Sequence, residues 1–145
     1  MIDFKLGDLF LKKGGSVDPA KYSAETFEYF SIPSYDTGTP EIIEGSKIGS
    51  SKKIFQPNDV LLSRIVPHIR RCWIVGLNQG YRQIGSGEWI VFRSEKIIPQ
   101  YLRFYLMSDE FNRKFLKTVK GVGGSLLRAD PQQVAKFNIK IPPLQ

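Results

Sequence analysis

The hydrophobic pattern of this chain changes period once, near Pro99, and that change sets the fold class. Before it, apolar residues fall in short β-branched and aromatic runs separated by turn residues. After it, Tyr101, Leu102, Tyr105 and Leu106, and then Met107, Phe111, Phe115 and Val119, recur at helical spacing. Strands first and helices later argue for an α+β domain. The strands are closely spaced with short connections, which favours antiparallel pairing. The expected architecture is a mixed, mainly antiparallel twisted sheet with helices toward the C-terminal side. At 145 residues the chain suits one domain with one real core, so residues 1–145 are read as a single unit.

Local signals place the elements. Residues 3–11 read as a helical turn running into a strand, stopped by Gly14-Gly15. Residues 16–26 read as a polar loop, and Phe27, Tyr29, Phe30 and Ile32 as a strand ending in a turn cluster over residues 36–40. Residues 41–53, rich in Gly, Ser and Lys, are expected to form a mobile or ligand-ordered loop. Pro57-Asn58-Asp59 should turn the chain into a strand over residues 60–66. Further strands are expected at 72–77 and 89–93, with Asn78-Gln79-Gly80-Tyr81 as a tight turn. Ser108 is a candidate N-cap that divides the helical region in two. Arg113, Lys117 and Lys120 share a polar helical face until Gly121-Val122-Gly123-Gly124-Ser125 ends it. Asp130-Pro131-Gln132-Gln133 has the N-cap and N1 residues of a short helix. Phe137, Ile139 and Ile141 then alternate as a closing strand.

Charge is segregated along the chain. Residues 16–45 hold six acids and one base. Residues 46–87 hold seven bases and one acid, and residues 88–145 ten bases and five acids. Such a distribution points to phosphate binding on one side. No apolar run approaches the roughly 20 residues that span a bilayer. The first residues lack a signal-peptide pattern, and the single cysteine, Cys72, has no disulfide partner in the chain. A cytoplasmic protein without membrane contact is expected.

The residues of catalysis are sparse. His68 is the single histidine, and His68 with Cys72 falls short of the four ligands of a structural zinc site. Metal-dependent nuclease chemistry needs clustered carboxylates, yet between residues 47 and 82 the one acid is Asp59. The phosphate-loop pattern G-x-x-x-x-G-K-[ST] is absent. No catalytic residue, metal or cofactor is therefore expected.

Nucleic-acid signals are stronger. Arg70 and Arg71 adjoin His68. Gln79, Tyr81, Arg82 and Gln83 surround the expected hairpin tip, and Arg and Gln can bond guanine and adenine edges in the major groove. Lys52 and Lys53 suit phosphate contact, as do Ser125 and Arg128 beside the glycine-rich turn. The expected binding face thus gathers the loops around 47–53, 68–71, 78–83 and 121–128.

Several of these segments together resemble a known family. Lys5-Leu6-Gly7-Asp8-Leu9-Phe10 with Lys13-Gly14, then Pro57-Asn58-Asp59-Val60-Leu61-Leu62-Ser63, then Pro99-Gln100-Tyr101-Leu102-Arg103-Phe104-Tyr105-Leu106 and the closing Phe137-Asn138-Ile139-Lys140-Ile141-Pro142-Pro143-Leu144-Gln145 follow the order of motifs in a target recognition domain of type I restriction–modification specificity subunits. The resemblance covers nearly the whole chain. It implies recognition of one half of a bipartite site in double-stranded DNA, with methyltransferase and restriction/translocase subunits supplying the chemistry. In the family, the closing motif opens a conserved spacer helix, and the chain stops where that helix would begin. The resemblance therefore implies an excised domain, a truncated product or one half of a split subunit, paired with a second half-subunit or as a homodimer. The other reading is a protein-interaction or decoy half-subunit that binds the methyltransferase subunits without specific DNA recognition. A hidden nuclease or methyltransferase is a third, disfavoured by the missing ligand clusters.

Overall fold

The computed structural model describes residues 2–120 and 127–141. Its central element is β6 (Val60–Ser63), four buried residues flanked by β7 (Cys72–Ile74) and β9 (Trp89–Phe92), both antiparallel to it. Successive side chains of a strand point to opposite faces, and here both faces are covered. Val60, Leu62, Ile90 and Phe92 face one core; Leu61, Trp89 and Val91 face another.

The first core is closed by α2 (Pro99–Leu106) and α3 (Asp109–Leu116), which insert Leu102, Leu106, Phe111 and Phe115. A two-stranded ribbon of β1 (Ile2–Lys5) and β12 (Asn138–Ile141) completes it with Ile139 and Ile141, and a second ribbon pairs β10 (Val119–Lys120) with β11 (Arg128–Ala129). The second core joins this unit to a five-stranded sheet. Its order is β2 (Ser16–Val17), β5 (Lys52–Ile54), β8 (Arg82–Gly85), β3 (Thr26–Phe30) and β4 (Glu41–Glu44). Phe30 and Phe55 pack there against Leu61, Trp89 and Trp73. The far face of that sheet carries Val17, Phe27, Ile48 and Ile84.

The α+β class and the helical half agree with the sequence. Ser108 Oγ accepts from Phe111 N at 3.2 Å, so the helical region is indeed two helices. Asp130 caps α4 (Pro131–Val134) through Gln132 N at 3.0 Å, with Pro131 in the first turn. The strand half departs in four places. Ile2–Lys5 is a strand followed by a 3-10 turn, the reverse of the expected order. Within the expected loops, residues 16–26 hold β2 and a 3-10 turn, and residues 41–53 hold β4 and part of β5. Ser31 opens α1 (Ile32–Thr37), and Gly38 closes it at φ 96°, a conformation glycine adopts without steric cost. Finally, β7 and β8 lie in different sheets, so residues 75–81 are a crossover and not a hairpin tip. β8 pairs instead with β3, in parallel. Turn residues fix where a chain bends; the buried faces of Val75 and Ile84, which enter different cores, decide what it pairs with.

Candidate nucleic-acid interface

Two of the residues expected to meet DNA, Arg82 and Lys53, lie at opposite ends of β8. Arg82 lies at the end beside Phe27, and Lys53 sits opposite Gly85 at the other, about 10 Å away at the usual strand rise.

Most of the arginines are tied inward. Arg82 is held by Glu25 through two bonds of 2.7 Å, and its guanidinium lies 4.6 Å from the Tyr22 ring centre. Arg71 is buried and grips Asp36 of α1 through two bonds of 3.0 Å. These arginine bonds hold the Glu25 and Asp36 carboxyls below the usual carboxylate range. Arg70 pairs with Asp109 at 2.6 Å, and Arg128 with Glu88 at 3.1 Å. Two of the six acids of residues 16–45, Glu25 and Asp36, are thus counter-ions for the basic segment that follows them. Segregation of charge in the sequence becomes pairing in space.

Gln83 is the clearest correction. It is 2% exposed, between the two sheets, and its amide donates to Glu28 Oε1 at 2.7 Å and Gly76 O at 3.0 Å. A side chain so placed cannot reach a base edge. Gln83→Ala is expected to cost about 1–3 kcal/mol, because the buried Glu28 carboxylate loses a donor. It should leave any base preference of the domain unchanged, checked by denaturant melts beside a binding-site selection. Gln79, by contrast, is exposed on the crossover, where Asn78 Oδ1 accepts from Gly80 N at 2.7 Å and Gly80 has φ 99°. Tyr81 is half-buried beside it, and His68 is exposed in the loop after β6. Ser125 lies outside the described residues. Cys72 is buried, which pushes its thiol up to about 12 and leaves it a poor nucleophile.

Lys52 and Lys53 were expected to act together, but as neighbours in β5 they point to opposite faces. Lys52 lies over the Tyr29 ring and donates to Ser50 Oγ at 2.8 Å. Lys53 turns toward the second core and donates to Trp89 O at 2.8 Å. Burial, and after it the nearby Arg64 charge, lower its pKa; Glu88 opposes them. Lys53 and Arg64 line a crevice of about 280 Å³ between the sheets, together with Gly14, Gly15 and Gly87 and a mostly apolar set that includes Leu11, Ile54 and Trp89. Sequence reasoning missed Arg64 and treated Gly14-Gly15 as a chain breaker alone. The available signal was the glycine pair directly after Lys12-Lys13.

Among the described residues, no group of three or more His, Cys, Asp or Glu is placed to hold a metal ion, and no helix is long and apolar enough to cross a membrane. Fold and surface together define an α+β module with a basic crevice between two sheets. The chain belongs to the type I restriction modification DNA specificity domain family, whose model matches residues 1–145. In fold it is similar to the HsdS subunit from Thermoanaerobacter tengcongensis, with a TM-score of 0.79 and 24% identity over 99% of this chain. It is also similar to a chain from a structural study of complex assembly and conformational transition in the type I R-M system, with a TM-score of 0.80 and 23% identity over 98% of this chain. The chain spans 38% of the length of each. No curated protein sequence matches it.

Proposed function

We propose that this domain recognises one half of a bipartite site in double-stranded DNA, as the non-catalytic specificity component of a type I restriction–modification complex in the cytoplasm. The observation that carries this reading is the family match over the entire chain. Methyltransferase and restriction/translocase subunits supply the chemistry, and a second half-subunit or a second copy supplies the other half-site. The comparisons favour this reading over the decoy alternative.

The surface supports a division of labour. In this reading Gln79 and Tyr81 on the crossover, and His68 in the loop after β6, meet base edges or groove walls, and the exposure of Gln79 and His68 supports it. Lys53 serves backbone contact; Lys52, turned over the Tyr29 ring, and Arg128, paired with Glu88, contribute less. Arg70, Arg71, Arg82 and Gln83 act by holding loops in place. A selection from randomised duplexes should return an enriched half-site with this domain, and Gln79→Ala should relax the preference at one position by about 1–3 kcal/mol. Equal recovery of all duplexes at moderate salt would sink the specific reading.

A further inference from the structure

We propose that the crevice between the two sheets is a seat for a backbone phosphate of the duplex, held jointly by Lys53 and Arg64. The inference rests on the duplex-DNA reading above. Four observations carry it. First, Lys53 and Arg64 come from different sheets and converge on one concavity; no carboxylate is among the residues lining it. Like charges placed together repel, and an anion between them removes that cost. The acids close enough to act on the pair, Glu88 on Lys53 and Asp130 on Arg64, are themselves engaged by Arg128 and Lys120.

Second, both cations are fixed before any ligand arrives. Lys53 spends one proton on Trp89 O, and Arg64 Nε donates to Ala129 O at 3.3 Å. That leaves two ammonium protons and the terminal nitrogens of Arg64 for a ligand, with the ordering entropy of both side chains already met. Third, the lining includes three glycines, and the space beside Gly87 and Gly15 is open to a ligand. A side chain added at Gly87 would meet nothing within 4 Å, and Gly15 stands at φ 77°. Fourth, the rest of the lining is mostly apolar, which weakens screening and strengthens attraction to an anion.

The position fits as well as the chemistry. Arg64 N donates to Glu88 O, and Val66 N to Leu127 O, so the crevice opens beside the loop that carries His68 and beside the strand that carries Arg128. Val66, with φ 46°, holds that loop in a conformation β-branched residues rarely adopt.

The test uses the intact chain and short duplexes. Lys53→Met and Arg64→Met should each weaken binding about tenfold, equally for the selected duplex and for a random one. Each should also reduce the slope of log affinity against log salt by about 1. Lys53→Arg should retain most of the affinity. Because Lys53 also ties to Trp89 O, melting curves accompany each variant, and the unmodified, isotope-labelled chain gives an independent reading: the amide signals of Gly15 and Gly87 should shift on titration with duplex. Folded variants with unchanged affinity and slope, or duplex-induced shifts confined to other residues, overturn the seat while leaving DNA recognition standing. Absence of duplex binding by the unmodified chain removes both, and is seen before any variant is made.

Discussion

Asp59→Ala is expected to destabilise the domain by about 3–5 kcal/mol, the usual cost of removing one partner from a buried ion pair. Asp59 is fully buried, and its two oxygens accept from Arg93 Nε at 2.7 Å and Nη2 at 2.8 Å. Oδ2 also accepts from Gln56 N at 2.9 Å, and the backbone carbonyl of Asp59 accepts from Val75 N at 2.9 Å. One residue therefore joins the turn before β6, the end of β9 and the end of β7. Loss of the carboxylate leaves a mostly buried guanidinium without a counter-charge and Gln56 N without its acceptor. At roughly 3 °C per kcal/mol for a domain of this size, the melting temperature should fall by about 10 °C or more. Asp59→Asn keeps one acceptor oxygen and should lose less. A melting temperature within about 2 °C of the unmodified domain for Asp59→Ala would refute the clamp.

Asp59 also shows what the sequence discloses and what it hides. Pro57-Asn58-Asp59 before an apolar run marks a turn into a strand, and Asn58 does take φ 73° there. Nothing local says that the carboxylate is bound for Arg93, 34 residues on. The same contrast holds across the fold. Ser108, Asp130 and Pro131 act on their own helices, so their roles are legible in order along the chain. The parallel pairing of β3 with β8 joins residues about 55 apart, and no turn signal encodes it. The candidate site follows this rule. Exposure of Gln79 is a local property of a glycine-containing turn, and it was legible. Burial of Gln83 depends on Glu28 and Gly76 arriving from other strands, and it was not. Arg71 and Arg82 look like DNA-binding arginines until Asp36 and Glu25 are found beside them.

That redistribution of charge changes the expected salt dependence of binding, the second large effect. The sequence alone offers six cations for the DNA face: Lys52, Lys53 and Arg128 for phosphate, Arg70 and Arg71 beside His68, and Arg82 for a base edge. Six contacts give a slope near −5.4 in log affinity against log salt, and on the order of a 1,000-fold loss between 50 and 200 mM. In the folded domain Arg70, Arg71, Arg82 and Arg128 each face a carboxylate, and a cation already paired releases little from the counterion atmosphere of DNA. Lys52 points away from the crevice face. Lys53, Arg64 and exposed Lys13, on the segment that edges the crevice, remain on that side. Three contacts give a slope near −2.7 and a loss of roughly 40-fold over the same range. Titrations of a selected duplex by anisotropy at four or five salt concentrations distinguish the two slopes. A slope near −5 would mean that the ion pairs open on DNA, with Glu25 and Asp36 released to solvent, and that the arginines tied inward in the free domain are the ones that hold the duplex.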